Sequence, residues 1–300
     1  MSKIDLHIHS EYSNDGEFSI SCILEMCKST GMKLVSITDH NSVRGTEEAL
    51  TENAGGDTGL QIISGIELDC TYKEKNLHLL GYSIDHTRSE FFEIEKDIIS
   101  QEREAAEEKI TLFQKATGIP VNINEIIDSA KNDVITGEAI AGHVLIKDDA
   151  EQYEILKPYL PGGAKSDMPN AWFYWDFFSP GKPAHVPIRN ISLPEARDLI
   201  RNANGLSVLA HPGQSLSGNY SLLEEIISEG IDGIEVFCSY HSSEDAAFFL
   251  EAAKQNRLLI TFGSDFHGKN KPQIRIGDHG SVLDDEILIK EMRLFQNFSF

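Results

Sequence analysis

The chain has 300 residues, 40% of them hydrophobic, enough for one large domain or two ordinary ones around a sizeable core. Its 26 basic and 48 acidic residues leave a net charge of −22. That weighs against long nucleic acid, which needs a basic footprint, and against an anionic membrane surface. No stretch reaches the length of a membrane span, and no signal peptide is read ahead of the first strand. Cys22, Cys27, Cys70 and Cys238 form no C-x-x-C pair, so reduced thiols in a cytoplasmic protein are expected.

The first predicted element is the strand "KIDLHIH". Residues i and i+2 of a strand share a face, so Ile4, Leu6 and Ile8 point one way and Asp5, His7 and His9 the other. The turn "SEYSNDG" follows and brings Asp15. A helix is predicted over "SISCILEMCKSTG", opening on Ser19 and closing on Gly31. Strands "LVSITDH", "LQIISGIELD" and "LHLLGYSI" come next, carrying His40, Glu67 and His78.

From about Ser100 to Pro187 the alternation stops. "SQEREAAEEKITLFQKATG", "VNINEIIDSAKN" and "TGEAIAGHVLIKDD" read as helices, and "NAWFYWDFFSPGKPAHVP" as an aromatic packing seam. The rhythm then resumes. "SLPEARDLIRNANG" has a capping box in Ser192 and Glu195, Pro194 in its first turn and Gly205 at its end. Strands "LSVLAHP", "GIEVFC" and "LLITFGSDFH" bring His211, then His241 just past a strand end, then Asp265 and His267. The pattern predicts an α/β fold with a largely parallel sheet: a barrel in residues 1–100 and 188–300, interrupted by a helical insertion in 101–187.

Six histidines and three acids are competent to bind metal: His7, His9, Asp15, His40, Glu67, His78, His211, Asp265 and His267. All but His78 fall at or just past the end of a predicted strand, where an α/β barrel gathers its functional groups. Imidazole with carboxylate suits Mn²⁺, Zn²⁺ or Fe²⁺, and the absence of cysteine from the set argues against a closed structural zinc site. His86, His143, His185 and His279 fit no motif. There is no G-x-S-x-G elbow and no G-x-x-x-x-G-K phosphate loop.

The motifs "DLHIHS", "SITDH", "GIEL", "LHLLGY", "LAHPG" and "GSDFHG" resemble, in order, those of the PHP (polymerase and histidinol phosphatase) family, over roughly residues 1–100 and 187–285. The resemblance implies a distorted (β/α)₇ barrel with two or three divalent ions. It assigns His7, His9, Glu67 and Asp265 to one ion. Glu67 would bridge to a second, completed by His78 and His211, and Asp15, His40 and His267 would hold a third. The implied reaction is hydrolysis of a phosphate ester in a small phosphorylated metabolite by a metal-bridging hydroxide, with Glu67 and Asp265 in the catalytic centre. The insertion resembles that of stand-alone bacterial phosphoesterases, which include phosphatases of 3′,5′-bisphosphorylated nucleotides, 5′→3′ exonucleases on short RNA and enzymes opening cyclic phosphates.

Two departures stand out. The family turn reads S-D-G, and here one more residue precedes Asp15. Nucleotide-type members carry Arg and His where Gly137 and Ala139 stand, so contact with a distal phosphate or base must differ. Arg44, Arg103, Lys182 and Arg189 are the candidate replacement cations for the substrate, Arg44 foremost because it follows His40. His241 is a candidate proton donor to the leaving group. Two other readings are weaker. An amidohydrolase would bridge its metals with a strand-end lysine, which is missing. A non-catalytic PHP scaffold would be expected to lose ligands, and all nine positions are filled.

Overall fold

The computed structural model describes residues 2–54, 59–127, 134–216 and 218–292. In chain order the strands are β1 (Ile4–Ile8), β2 (Leu34–Ile37), β3 (Gln61–Tyr72), β4 (Lys75–Tyr82), β5 (Ile191–Ser192), β6 (Leu206–Leu209), β7 (Gly233–Cys238) and β8 (Leu259–Gly263). The helices are α1 (Ile20–Thr30), α2 (Arg44–Asn53), α3 (Ser89–Thr117), α4 (Ile123–Ile127), α5 (Gly137–Val144), α6 (Pro169–Phe177), α7 (Leu193–Asn202), α8 (Pro212–Leu216), α9 (Ser221–Ser228), α10 (Ser243–Asn256) and α11 (Asp285–Met292). The helix expected over "VNINEIIDSAKN" is seen as α4; its continuation through 128–133 lies outside the described residues.

The sheet runs β1-β2-β3-β4-β6-β7-β8, with β5 added to β3. Past the end of β8, Asp265 N–H donates to His7 O and His9 N–H to Phe266 O, both at 2.9 Å, and the sheet nearly closes on itself. This is the expected distorted seven-stranded barrel, with one correction. The sheet is not parallel around β4, which runs antiparallel to both β3 and β6. The cause is local: only Lys73 and Glu74 separate β3 from β4, too few for a parallel crossover. Both have positive φ, 47° and 64°, as a type I′ hairpin turn requires. The reversal also accounts for His78. It lies before the middle of its strand, yet a strand running backwards presents its early residues where its neighbours present their ends.

The capping box at Ser192 is as the sequence reads. Ser192 Oγ accepts from Glu195 N–H and the Glu195 carboxylate accepts from Ser192 N–H, opening α7. α7 stops at Asn202, before Gly205, because Asn204 turns the chain at φ 60°.

Packing divides into a barrel core and a second core. The barrel core joins Ile4, Leu6, Ile66, Leu79, Val208, Ile234 and Phe262 with Phe91. The second draws on Ala106, Ile110, Phe113, Ile140, Val144, Leu156, Phe173, Phe177 and Phe178. α3 passes through residue 100 without a break, so its first turns serve one core and its last turns the other. Phe113 is fully buried, with its ring 5.4–5.9 Å from those of Phe173, Phe177 and Phe178. The phenylalanines of the aromatic seam are therefore packing residues.

Phe113→Ala is expected to destabilise the second core by about 3–5 kcal/mol. Both tryptophans, Trp172 and Trp175, lie on α6. The urea transition read by their fluorescence should therefore move to lower denaturant by more than the transition read by far-UV circular dichroism.

Candidate metal centre

Four ligand atoms meet at the barrel mouth. His7 Nε2 and His9 Nε2 are 3.1 Å apart and lie 3.2 and 3.1 Å from Glu67 Oε2. Asp265 Oδ1 is 3.4 and 3.1 Å from the same two nitrogens. All four side chains are buried. Ligands on one tetrahedral ion with bonds of about 2.0–2.1 Å sit about 3.3–3.4 Å from each other, so the spacing is that of a coordination shell.

The hydrogen-bond network turns lone pairs toward this point. His7 Nδ1–H donates to Glu235 Oε1 at 2.9 Å. Ser13 O–H donates to Asp39 Oδ1, so Ser13 Oγ accepts from His9 Nδ1–H at 2.9 Å. Each imidazole then points its Nε2 at the other and at two carboxylates. Glu67 Oε2, fully buried, has no hydrogen-bond partner. Only a cation or a proton satisfies such a cluster.

Further ligands surround it. Glu67 Oε1 lies 3.0 Å from His78 Nδ1 and 3.1 Å from His211 Nε2. His40 Nδ1 is 3.3 Å from Glu67 Oε2 and 3.1 Å from Asp69 Oδ1. His9, Asp15, His40 and His267 make another group, with His267 Nε2 3.2 Å from Asp15 Oδ2. Despite its longer turn, Asp15 reaches the cluster; its Oδ1 is buried without a partner. All nine sequence-predicted residues are thus brought together, with His40 standing between two groups. Two of them, Asp265 (φ 58°) and His211 (φ 25°), hold left-handed backbone that costs on the order of 1–3 kcal/mol each and recurs at functional sites. Gly263 is needed for close approach: a Cβ there would overlap His7.

The pKa shifts follow from this crowding. Burial alone would lower His7, but Glu235, Glu67 and Asp265 lift it well above its usual range. Burial lowers its neighbour His9 to about 4, helped by repulsion from His267 and His40. Burial would raise Glu67, yet His7, His40 and His78 hold it well below the usual carboxylate range. Asp265 is likewise held low against burial, by Lys271, His267 and His7.

Several residues here were not expected from the sequence. Asp69 is two residues from Glu67 on the same face of β3, a signal that was available. Glu235 takes His7 Nδ1–H on one oxygen and His211 N–H, at 2.7 Å, on the other. Asp39 accepts from Ser10 N–H, Ser10 O–H and Ser13 O–H. Lys271 Nζ is 2.6 Å from Asp265 Oδ2, turning the other oxygen to the histidines.

The cluster opens into a cavity of about 930 Å³. It is lined by Trp172, Tyr174 and Trp175 of α6, Glu138 of α5, Glu95 and Glu102 of α3, and Lys271, among others. Burial and Asp15 push the Glu138 carboxyl up to about 7. None of Arg44, Arg103, Lys182 and Arg189 is among the described lining residues. Arg44 Nε donates to both Glu95 oxygens at 2.8 and 3.0 Å, and Arg189 is largely exposed beside Asp97. His241 is not placed to donate to a leaving group. Its Nδ1–H donates to Val236 O at 2.8 Å and its Nε2 accepts from Gly213 N–H at 3.1 Å, so it orders the loop after His211.

A barrel whose mouth collects this set of histidines and carboxylates defines a candidate metal centre. The chain belongs to the PHP domain family, whose profile matches residues 5–160. It is 28% identical over 271 residues to a 3′,5′-nucleoside bisphosphate phosphatase of Chromobacterium violaceum, covering 89% of this chain and 88% of that protein. It is also 28% identical, over 88% of this chain and 94% of the relative, to a phosphoribosyl 1,2-cyclic phosphate 1,2-diphosphodiesterase of Eggerthella lenta. A 5′-3′ exoribonuclease of Haemophilus influenzae is 26% identical over 88% of this chain and 90% of its own length. Among solved structures, a Chromobacterium violaceum protein described as an amidohydrolase, with bound sulfate, superposes with a TM-score of 0.73 at 25% identity over 91% of each chain. A Bifidobacterium adolescentis protein shares the fold, with a TM-score of 0.75 at 23% identity over 97% of this chain and 95% of its own. No described helix is long and apolar enough to cross a membrane.

A ligand that binds only the folded state stabilises by about 2.7 kcal/mol at a hundred times its Kd. For a chain of this size that is about 4 °C in Tm. Adding Mn²⁺ or Zn²⁺ to metal-free protein should produce a shift of this size in calorimetry, and Glu67→Ala should remove most of it.

Proposed function

We propose that the chain hydrolyses a phosphate ester of a small phosphorylated metabolite, whether nucleotide, sugar phosphate or cyclic phosphate, with two or three ions of Mn, Zn or Fe held by the nine residues. The observation that carries this is Glu67. Each of its buried oxygens faces a different set of imidazoles, and one has no hydrogen bond at all. His7, His9, Glu67 and Asp265 would hold one ion. Glu67, His78 and His211 would hold a second, and Asp15, His40 and His267 a third, with His9 and His40 at the boundaries between groups. When bound, such ions lower the pKa of a coordinated water and offset charge on phosphoryl oxygens.

The chain's own groups supply the rest. Glu235 and Ser13 fix the ring orientation of His7 and His9 and point each Nε2 into the cluster, where it could meet an ion. Asp39 anchors Ser13 and Ser10, and so the turn that carries Asp15. Lys271 is positioned to donate to a phosphate oxygen beside Asp265. The α6 aromatics line the mouth.

The alternative reading is a 3′,5′-bisphosphonucleotide phosphatase or a 5′→3′ exonuclease on short RNA, after the names of the Chromobacterium and Haemophilus relatives. The net charge of −22 weighs against long RNA. An amidohydrolase is disfavoured because a glutamate, Glu67, occupies the centre of the cluster where a bridging lysine would be needed. Four free cysteines, three of them buried, support a reducing compartment such as the cytoplasm.

Glu67→Ala should reduce kcat on p-nitrophenyl phosphate to below a few per cent, with metal content per chain falling in parallel. Full activity with full metal loading would remove Glu67 from the centre. A screen of metal-loaded protein against nucleoside bisphosphates, cyclic phosphates, sugar phosphates and short RNA would rank the substrate classes by kcat/KM.

A further inference from the structure

A histidine that ligates an ion uses one ring nitrogen. The other needs an acceptor, which fixes the ring and its tautomer. For four of the six cluster histidines that acceptor serves one ring only. Glu235 faces His7 Nδ1, and Ser13 faces His9 Nδ1. Ser215 Oγ lies 3.2 Å from His211 Nδ1, and His267 Nδ1 is 2.9 Å from Asp265 O.

His40 and His78 are held differently. A single oxygen, Asp69 Oδ1, is hydrogen-bonded to His40 Nδ1 at 3.1 Å and lies 3.4 Å from His78 Nε2, an ion-pair contact. Both rings also face Glu67: Oε2 is 3.3 Å from His40 Nδ1, and Oε1 is 3.0 Å from His78 Nδ1. His78 therefore sits between two carboxylates, with Nδ1 toward the buried Glu67 and Nε2 toward the partly exposed Asp69. His40 turns Nδ1 to both carboxylates, which leaves Nε2 for its group with His9, Asp15 and His267.

Asp69 is itself fixed. Its Oδ2 accepts from Asn41 Nδ2–H at 2.8 Å, and its backbone N–H donates to Asn41 Oδ1 at 3.0 Å. Asn41 follows His40 in left-handed backbone, φ 54°, and its own N–H donates to Glu67 O at 2.7 Å. These bonds tie the segment after β2 to β3. They leave Asp69 one oxygen, and that oxygen is aimed at two rings.

We propose that Asp69 is a positioning residue that serves two ions at once. It faces the Nδ1–H of His40 and the Nε2–H of His78. It thereby commits His40, through Nε2, to the group with Asp15 and His267, and commits His78, through Nδ1, to the group with Glu67 and His211. This rests on the ions assigned in the phosphoesterase reading above and adds which of them depend on one another. The second and third are coupled through a carboxylate that holds neither, and the first, held by His7, His9, Glu67 and Asp265, is independent of it. Asp69→Asn keeps the shape and an oxygen for Asn41 but turns an amide donor toward the rings, so both ring protons lose their acceptor together.

The test titrates metal-free protein with Mn²⁺, following free ion by electron paramagnetic resonance, and reads the ring nitrogens of isotopically labelled histidine by NMR in the Zn²⁺-loaded protein. Wild type should carry the His40 proton on Nδ1 and the His78 proton on Nε2. Asp69→Asn should weaken the second and third ions by about 10- to 100-fold, leave the first within about threefold, and remove both ring-proton signals. Asp69→Ala, which takes away the acceptor without adding a donor, should weaken the same two ions, and far-UV circular dichroism of each metal-free variant checks its fold. The inference is overturned if wild type takes up a single ion, if all ions weaken alike or none does, or if either ring carries its proton on the other nitrogen. Hydrolysis of p-nitrophenyl phosphate by loaded wild type would leave the phosphoesterase reading standing in each of those cases. A wild type that takes up no ion and cleaves no phosphate ester removes both.

Discussion

A carboxylate with no hydrogen bond on one oxygen, buried among imidazoles, is the constraint around which this molecule is arranged. Glu67 Oε2 and the ring nitrogens around it bring lone pairs together unless something positive lies between them. Three more buried acids, none of them among the nine, hold the segments that carry the cluster. Asp5 accepts from Ser264 N–H and Gly277 N–H and ties β1 to the segments that follow β8. Asp39 holds the turn after β1. Glu235 holds His7 by its ring and His211 by its backbone. Each acid sits on a strand or at its end, so the cluster inherits the stiffness of the sheet. Truncating any of the three would leave donors buried without an acceptor, at about 1–3 kcal/mol per group.

The second core plays a different part. It contributes none of the nine cluster residues, and it supplies the wall that a leaving group would meet. α3 links the two, because one uninterrupted helix is buried in both cores. The Arg44–Glu95 pair adds a second tie, from the start of α2 on the barrel to the middle of α3. The wall is therefore fixed relative to the cluster by a helix and a charge pair rather than by a loop alone.

Much of the cluster was legible because strand periodicity carries directly into space. His7 with His9 could be read as sharing a face from spacing alone, and strand ends in a barrel converge without further information; Asp265 and His267 lie past β8, where the left-handed backbone at Asp265 ends the alternation, and reach the cluster by their place at the strand end. What failed was anything set by partners distant in sequence. Arg44 follows His40 closely, yet the first turn of α2 directs its guanidinium to a glutamate on α3. His241 lies just past a strand end like the true cluster members, but its partners are backbone atoms of Gly213 and Val236, which leave no mark in side-chain chemistry. The reversal of β4 was hidden because Lys73-Glu74 lacks the Asn or Gly that normally signals a type I′ turn. Asp69 obeys the same i, i+2 rule as His7 and His9, two residues beyond Glu67 on β3, but no motif surrounds it.

The way the barrel closes has a consequence for the time course of folding. The bonds that join the last strand to the first run from Asp265 N–H to His7 O and from His9 N–H to Phe266 O, and three of those four residues belong to the cluster. Closure of the sheet and assembly of the site are therefore one event, and it needs the two ends of the chain to meet. Contacts of such long range form late and slowly, since the entropy of joining the ends must be met first. An ion held across this seam would act on the unfolding rate above all, because the seam must part before the rest of the barrel can open. Occupancy of the site would thus be recorded in the protein's lifetime against heat and proteases, independently of any turnover.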